Sequence, residues 1–141
     1  MIKKILVATD ASDYSRRALE KAIEYAKKFQ SEIILIHVFT QPRSYGTFTG
    51  LPTIEYSEEE VNQIGKKIFD ITLEGIDTSG VNIEKKTVIG HPAASILKEI
   101  NEEVDLVVMG SKGHGPLSGT LIGSVTQRVL GLAPCSVLVV K

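Results

Sequence analysis

The amino-acid sequence predicts an α/β fold, a parallel sheet covered by helices on both faces. Two observations carry this. Short apolar runs recur at Ile5–Ala8, Ile33–Val38, Leu106–Met109 and Ser136–Val140, and such runs suit strands buried on both faces. Between them, apolar residues return every three or four positions, as on one face of a helix. The two patterns alternate along the chain, the order of βαβ units with right-handed crossovers.

The elements follow in order. Ile5-Leu6-Val7-Ala8 forms the first strand and Thr9-Asp10 closes it. Ser12 or Asp13 can cap the next helix, whose Leu19, Ala22 or Ile23, Ala26 and Phe29 make an apolar stripe. Ile33 to Val38 is the second strand. A second helix runs from about Glu58, with Val61, Ile64, Ile68, Ile71 and Gly75 at helical spacing. Thr78-Ser79-Gly80 turns the chain into a third strand, Val81 to Ile89. Pro92 stands where a first helical residue belongs, and Ala93, Leu97, Ile100 and Val104 continue one face. Leu106 to Met109 is the fourth strand, Val125 to Leu130 begins a last helix, and Ser136 to Val140 is the fifth strand. Thr40 to Ser57 is longer than a connection needs. With Tyr45, Phe48, Leu51 and Tyr56 it reads either as a surface insertion or as a lid or partner-contact segment.

At 141 residues the chain is expected to form one domain without disulfide or metal staples. Sixteen basic against seventeen acidic residues give a net charge of −1. No basic stripe marks a polynucleotide partner, and nothing marks a membrane surface. No apolar run approaches the ~18 residues of a membrane span. The apolar run after Met1-Ile2-Lys3-Lys4 is too short for an export signal, so a cytoplasmic location is expected. The single cysteine, Cys135, offers no disulfide framework and reads as a small buried hydrophobe. His37, His91 and His114 lack metal-ligand spacing.

The most informative stretch is Gly110-Ser111-Lys112-Gly113, nine further residues, then Gly123-Ser124. Gly110, Gly113, Gly115, Gly119, Gly123 and Gly131 are six of the chain's twelve glycines. An apolar strand, a glycine-rich loop and a helix start make a candidate phosphate cradle, because glycine permits close backbone approach and a helix N-terminus offers unpaired amides. The Walker pattern fails, since Pro116-Leu117 follow Gly115 where Lys-Ser belong. The dinucleotide fingerprint fails at Ser118 and at a first βα turn without glycine. Thr9-Asp10-Ala11-Ser12-Asp13 is too acidic for a flavin-phosphate loop, and Gly90-His91-Pro92 supplies no phospho-acceptor aspartate.

The pattern G-x2-G-x9-G-[ST] formed by Gly110, Gly113, Gly123 and Ser124 resembles that of the universal stress protein family, in its ATP-binding branch. The likeness extends over Ile5 to Ser12, Ile36-His37-Val38, Gly90-His91-Pro92-Ala93, Asp105 to Ser111, Gly123-Ser124-Val125-Thr126 and Ala133 to Val140. It implies strand order 3-2-1-4-5 and an ATP-dependent regulatory switch in stress response. It implies ATP held beyond strands one and four, with Mg²⁺ or Mn²⁺ carried through the phosphates. Ala8, Thr9 and Asp10 then lie against the nucleotide, with the carboxylate near the ribose; capping the helix is the alternative for Asp10. The Val38 backbone reads the adenine edge, and Met109 packs beside base or sugar. Gly110, Ser111 and Gly113 hold the loop under ribose and phosphates. Gly123 gives close approach, Ser124 caps the helix and donates to phosphate, and Val125 and Thr126 add amide or hydroxyl contacts. Lys112 and His114 read either as phosphate partners or as solvated side chains, and His37 as a packed or edge histidine. Slow ATP hydrolysis or phosphoryl transfer is the alternative activity, but with no arginine in either loop binding is favoured. The resemblance also implies a homodimer through strand 136–140, an apolar edge that needs a partner.

Overall fold

A computed structural model describes residues 1–41, 55–114 and 122–141. Among them, strands β1 (Lys4–Ala8), β2 (Glu32–Phe39), β3 (Ile83–Ile89), β4 (Leu106–Gly110) and β5 (Ser136–Val140) alternate with helices α1 (Asp13–Phe29), α2 (Glu58–Leu73), α3 (Pro92–Glu99) and α4 (Ser124–Leu132). The strands form one parallel sheet in the order β3-β2-β1-β4-β5, as expected.

The pleat sends alternate residues to opposite faces. Ile5, Val7, Ile33, Leu35, Leu106 and Val108 pack against α1 and against Phe69 of α2. Leu6, Ile36, Val107 and Met109 pack against Ala93 and Ile96 of α3 and Val129 of α4. Each fully buried Leu, Ile or Val contributes roughly 1.5–3 kcal/mol, so the central strands β1 and β4 anchor the fold. Ser12 caps α1 by accepting from the Ser15 amide, and Ser57 with Glu60 closes a capping box on α2. Pro92 opens α3. Among the described residues no helix is long and apolar enough to cross a membrane.

Several elements depart from expectation. β3 starts at Ile83 because Val81 still closes a turn, its amide donating to the Thr78 carbonyl at 3.1 Å. α2 buries Val61, Gly65, Phe69 and Thr72, while Ile64 and Ile68 are half-buried and Ile71 is exposed. The cause is Gly65: a Cβ there would collide with Thr87, so its absence lets α2 settle onto β3 along a face containing glycine and threonine. α3 ends at Glu99, so Ile100 and Val104 are buried beyond the helix. Phe29 stacks on Tyr25 at 6.3 Å and is partly exposed. Cys135 is only half-buried, at the margin of the α3–α4 core. Tyr45, Phe48 and Leu51 lie outside the described residues; Tyr56 meets Phe39 edge-on at 5.2 Å.

Candidate functional site

Strand order determines where a ligand can sit. β1 pairs with β2 on one side and β4 on the other, so the loops leaving β1 and β4 diverge toward opposite faces. That reversal leaves a crevice beyond the carboxyl ends of these strands. A cavity of about 230 Å³ occupies it. Every residue expected at the site lines it except Ser111; Ser15, Ile36, His37, Pro92 and Ile96 line it as well. Ile36 could have been found from its period-two spacing with Val38. The approach of Pro92 and Ile96 depends on how α3 docks, which no local pattern encodes. Gly115, Gly119 and Pro116-Leu117 lie outside the described residues.

The β1 loop is held by hydroxyls and one carboxylate. Thr9 is 5% exposed and directs its hydroxyl inward, to Ser15 Oγ at 3.0 Å and Thr72 Oγ1 at 2.7 Å, while accepting the Ala11 amide at 3.0 Å. Its side chain is therefore structural, and only its main chain faces the cleft. Ala11 takes φ 66° to complete the bend. Asp10 does not cap α1. One carboxylate oxygen accepts the Ser12 amide at 3.0 Å, an Asx turn, and the other accepts the His114 amide at 3.0 Å across the cleft. Asp10 thus ties the β1 and β4 loops together. Burial pushes its pKa up, but hydrogen bonds from Ser12 and from the His114 amide, with the nearby His114 imidazole, bring it below the ordinary 3.8. A carboxyl depressed by folding stabilises the fold above its ordinary value and loses that effect as pH falls through the lower folded value. Asp10→Asn is therefore expected to melt earlier than the parent at neutral pH, with the gap closing below about pH 3.8. Melting curves with an equal gap at every pH would contradict this.

The β4 loop is pinched at its neck. Ser111, 3% exposed, donates its amide to the Val140 carbonyl at 2.7 Å and accepts the Gly123 amide at 2.6 Å. Ser111 therefore shapes the loop from behind. Gly110 ends β4 directly against α1, where a Cβ would lie 2.8 Å from the Tyr14 carbonyl carbon. Its lack of a side chain serves strand–helix contact. Gly113 has no Cβ because one would collide with the Asp10 carboxylate.

α4 begins differently from the sequence reading. Gly123 is its N-cap and makes no side-chain cap, and Ser124 is the first helical residue. The first helical bond is Gln127 N–H to the Gly123 carbonyl at 2.9 Å. The amides of Ser124, Val125 and Thr126 therefore have no acceptor within the helix, and all three residues border the cleft. The Thr126 hydroxyl donates to the Gly110 carbonyl at 2.8 Å and is not available to a ligand. Lys112, half-buried, brings positive charge to the same mouth, which the exposed His114 also lines.

The opposite wall combines apolar side chains with one main-chain edge. Ala8, Ile36, Val38, Ile96, Met109 and Val125 supply the apolar part. Even-numbered residues of β2 point their peptide groups toward β1: Glu32 donates to Lys3, and Ile36 accepts from Thr9 at 2.9 Å. Val38 pairs with Val88 of β3 on its other side, but it continues this alternation past the end of β1, so its N–H and C=O face the crevice with no β1 partner among the described residues.

The chain matches the model of the "Universal stress protein family" over residues 1–141. The universal stress protein YxiE of Bacillus subtilis is 36% identical over 150 aligned positions, covering 100% of both chains. The structure of the universal stress protein UspA from Lactobacillus plantarum superposes with a TM-score of 0.80 at 22% identity, covering 99% of this chain and 97% of that one. A universal stress protein solved in complex with cAMP superposes with a TM-score of 0.68 at 25% identity, again covering 99% and 97%.

Proposed function

The chain belongs to the universal stress protein family, and from that premise we propose that it binds ATP in the β1/β4 crevice and acts as a nucleotide-dependent regulatory switch. The observation that carries the reading is the start of α4: three amides without helical acceptors and no capping side chain, bordering a cavity at the sheet's switch point. Such a terminus attracts an anion through both its donors and its dipole. The apolar wall takes the base, and the Val38 N–H and C=O match a donor–acceptor pair on an adenine edge. A structural neighbour solved with cAMP supports an adenine nucleotide. The cavity, about 230 Å³, is small against the ~300–1,000 Å³ of ligand pockets. It suits a buried nucleoside with phosphates running out along Gly113 and Gly123. We assign Mg²⁺ or Mn²⁺ to the phosphates, the usual manner of holding such ions.

Binding is favoured over turnover. Efficient phosphoryl transfer needs a positioned base and cationic charge at the leaving phosphates. The nearest carboxylate, Asp10, already accepts two backbone amides. Calorimetric titration with ATP, ADP, AMP and cAMP tests the reading. Saturable one-site binding of ATP with turnover below ~1 s⁻¹ is expected. No heat with any of them, or turnover in the range of ordinary enzymes, would contradict it. The half-exposed edge strand β5 we assign to a two-fold contact between copies, which sedimentation as a compact monomer at micromolar concentration would overturn.

A further inference from the structure

His37 sits on β2 beside the cleft and contributes no expected ligand contact. Its Nδ1 lies 2.9 Å from the Thr9 carbonyl oxygen. A carbonyl only accepts, so Nδ1 carries the proton whatever the charge of the ring. That oxygen has a second significance. In the parallel ladder each even residue of β2 donates to the carbonyl one position before its register partner on the β1 side, as Glu32, which faces Lys4, does to Lys3 at 2.8 Å. The same step repeated would carry Ile34 to Ile5, Ile36 to Val7, and Val38 to Thr9. The Thr9 amide still keeps the register, donating to Ile36 at 2.9 Å. The Val38-to-Thr9 bond is absent from the described hydrogen bonds, and the His37 ring takes one of the two lone pairs of the oxygen it would use. Thr9 is also held in place by Ser15 and Thr72, so the acceptor stays within reach of the strand end.

We propose that His37 is a positioning residue: by satisfying the Thr9 carbonyl it stops β1 and β2 from zipping one step further, and so keeps the Val38 amide open to the ligand. The assignment deepens the nucleotide-binding reading and rests on it for the ligand, but the blocked ladder step stands on the protein alone. It gives a histidine that touches no substrate a definite role. It also makes the base-reading edge depend on a side chain one residue away from the one that reads.

The test compares the parent with His37→Leu, which fills similar space without a donor, and His37→Asn, which restores a donor near the Nδ1 position. Amide hydrogen exchange is measured by NMR on the ligand-free proteins, followed by ATP titration. In His37→Leu the Val38 amide is expected to exchange more slowly by roughly three- to tenfold, the size of one net hydrogen bond. The amides of Ile34 and Ile36 should hold their parental rates. ATP affinity should fall by a similar factor, and His37→Asn should restore both. A merely structural histidine would give the opposite sign, faster exchange along β2 on its removal. Unchanged or faster Val38 exchange in His37→Leu overturns the proposal whether or not the protein binds nucleotide. Slower exchange in a family of variants that all fail to bind ATP would uphold the blocked step and defeat the nucleotide reading instead. Slower exchange with undiminished ATP affinity would overturn the role of the Val38 amide in binding.

Discussion

Gly123→Val is expected to abolish nucleotide binding while the protein stays folded. Gly123 has φ −69° and ψ 159°, a conformation open to any residue, so valine brings no backbone strain. A Cβ would sit 3.4 Å from Lys112 Cα and 3.6 Å from the Ser111 carbonyl oxygen, ordinary contact distances. Alanine should therefore be tolerated with modest loss of affinity. Valine adds two methyl groups at the neck of the β4 loop, directly before the amides of Ser124, Val125 and Thr126. Hydrogen bonds to a charged group are worth about 1.5–3 kcal/mol each. Blocking two of them costs at least about 100-fold in affinity by the same figure. Calorimetry on valine and alanine variants, with melting temperature as the control, separates the outcomes. A valine variant that binds within about threefold of the parent would remove the α4 amides from the site.

Gly110→Ala is expected to have the largest effect on stability. The added methyl would meet three atoms of Tyr14 at 2.8–2.9 Å, two of them main-chain. Main chain cannot rotate away as a side-chain tip can. α1 is fixed close by, through the Ser12 cap, through Arg16 donating to the carbonyls of Thr72 and Glu74, and through Arg17 stacked 4.7 Å over the Tyr14 ring. Overpacking of this kind costs about 1–3 kcal/mol or more, and α1 or β4 must shift to relieve it. Urea denaturation should show a clear fall in the midpoint at unchanged slope. A parental midpoint would mean that α1 yields to the methyl freely.

The contrast between these two glycines shows what the sequence could and could not say. Spacing alone placed Gly110, Gly113 and Gly123 in one motif, and folding does bring them to one crevice. Their reasons differ: Gly110 admits a helix, Gly113 makes room for the Asp10 carboxylate, and Gly123 opens the way to α4. Only coordinates distinguish them, because the neighbours concerned are far away in the chain. The strands were legible because burial on both faces writes itself as unbroken apolar runs. α2 was misread because its contact face runs through Gly65 and Thr72, which carry no hydrophobic signal. Thr9, Ser111 and Thr126 were expected against the ligand. The hydroxyls of Thr9 and Thr126 and the main chain of Ser111 are bonded inside the protein instead, since buried polar groups need partners of their own. What remains for a ligand is almost entirely main chain, whose availability depends on where strands end and helices begin. The lack of a β1 partner for Val38 and the uncapped start of α4 are both of that kind.

The central claim is that main-chain groups at these two termini, and not side chains, hold the nucleotide. The most direct measurement is an amide-resolved NMR titration of the protein with ATP. The account predicts saturating shifts at Val38, Gly113, His114 and Ser124 to Thr126, with the β3 edge and the outer face of α2 unmoved. Binding that leaves the α4 amides and Val38 at their free positions, or no binding at all, would contradict it.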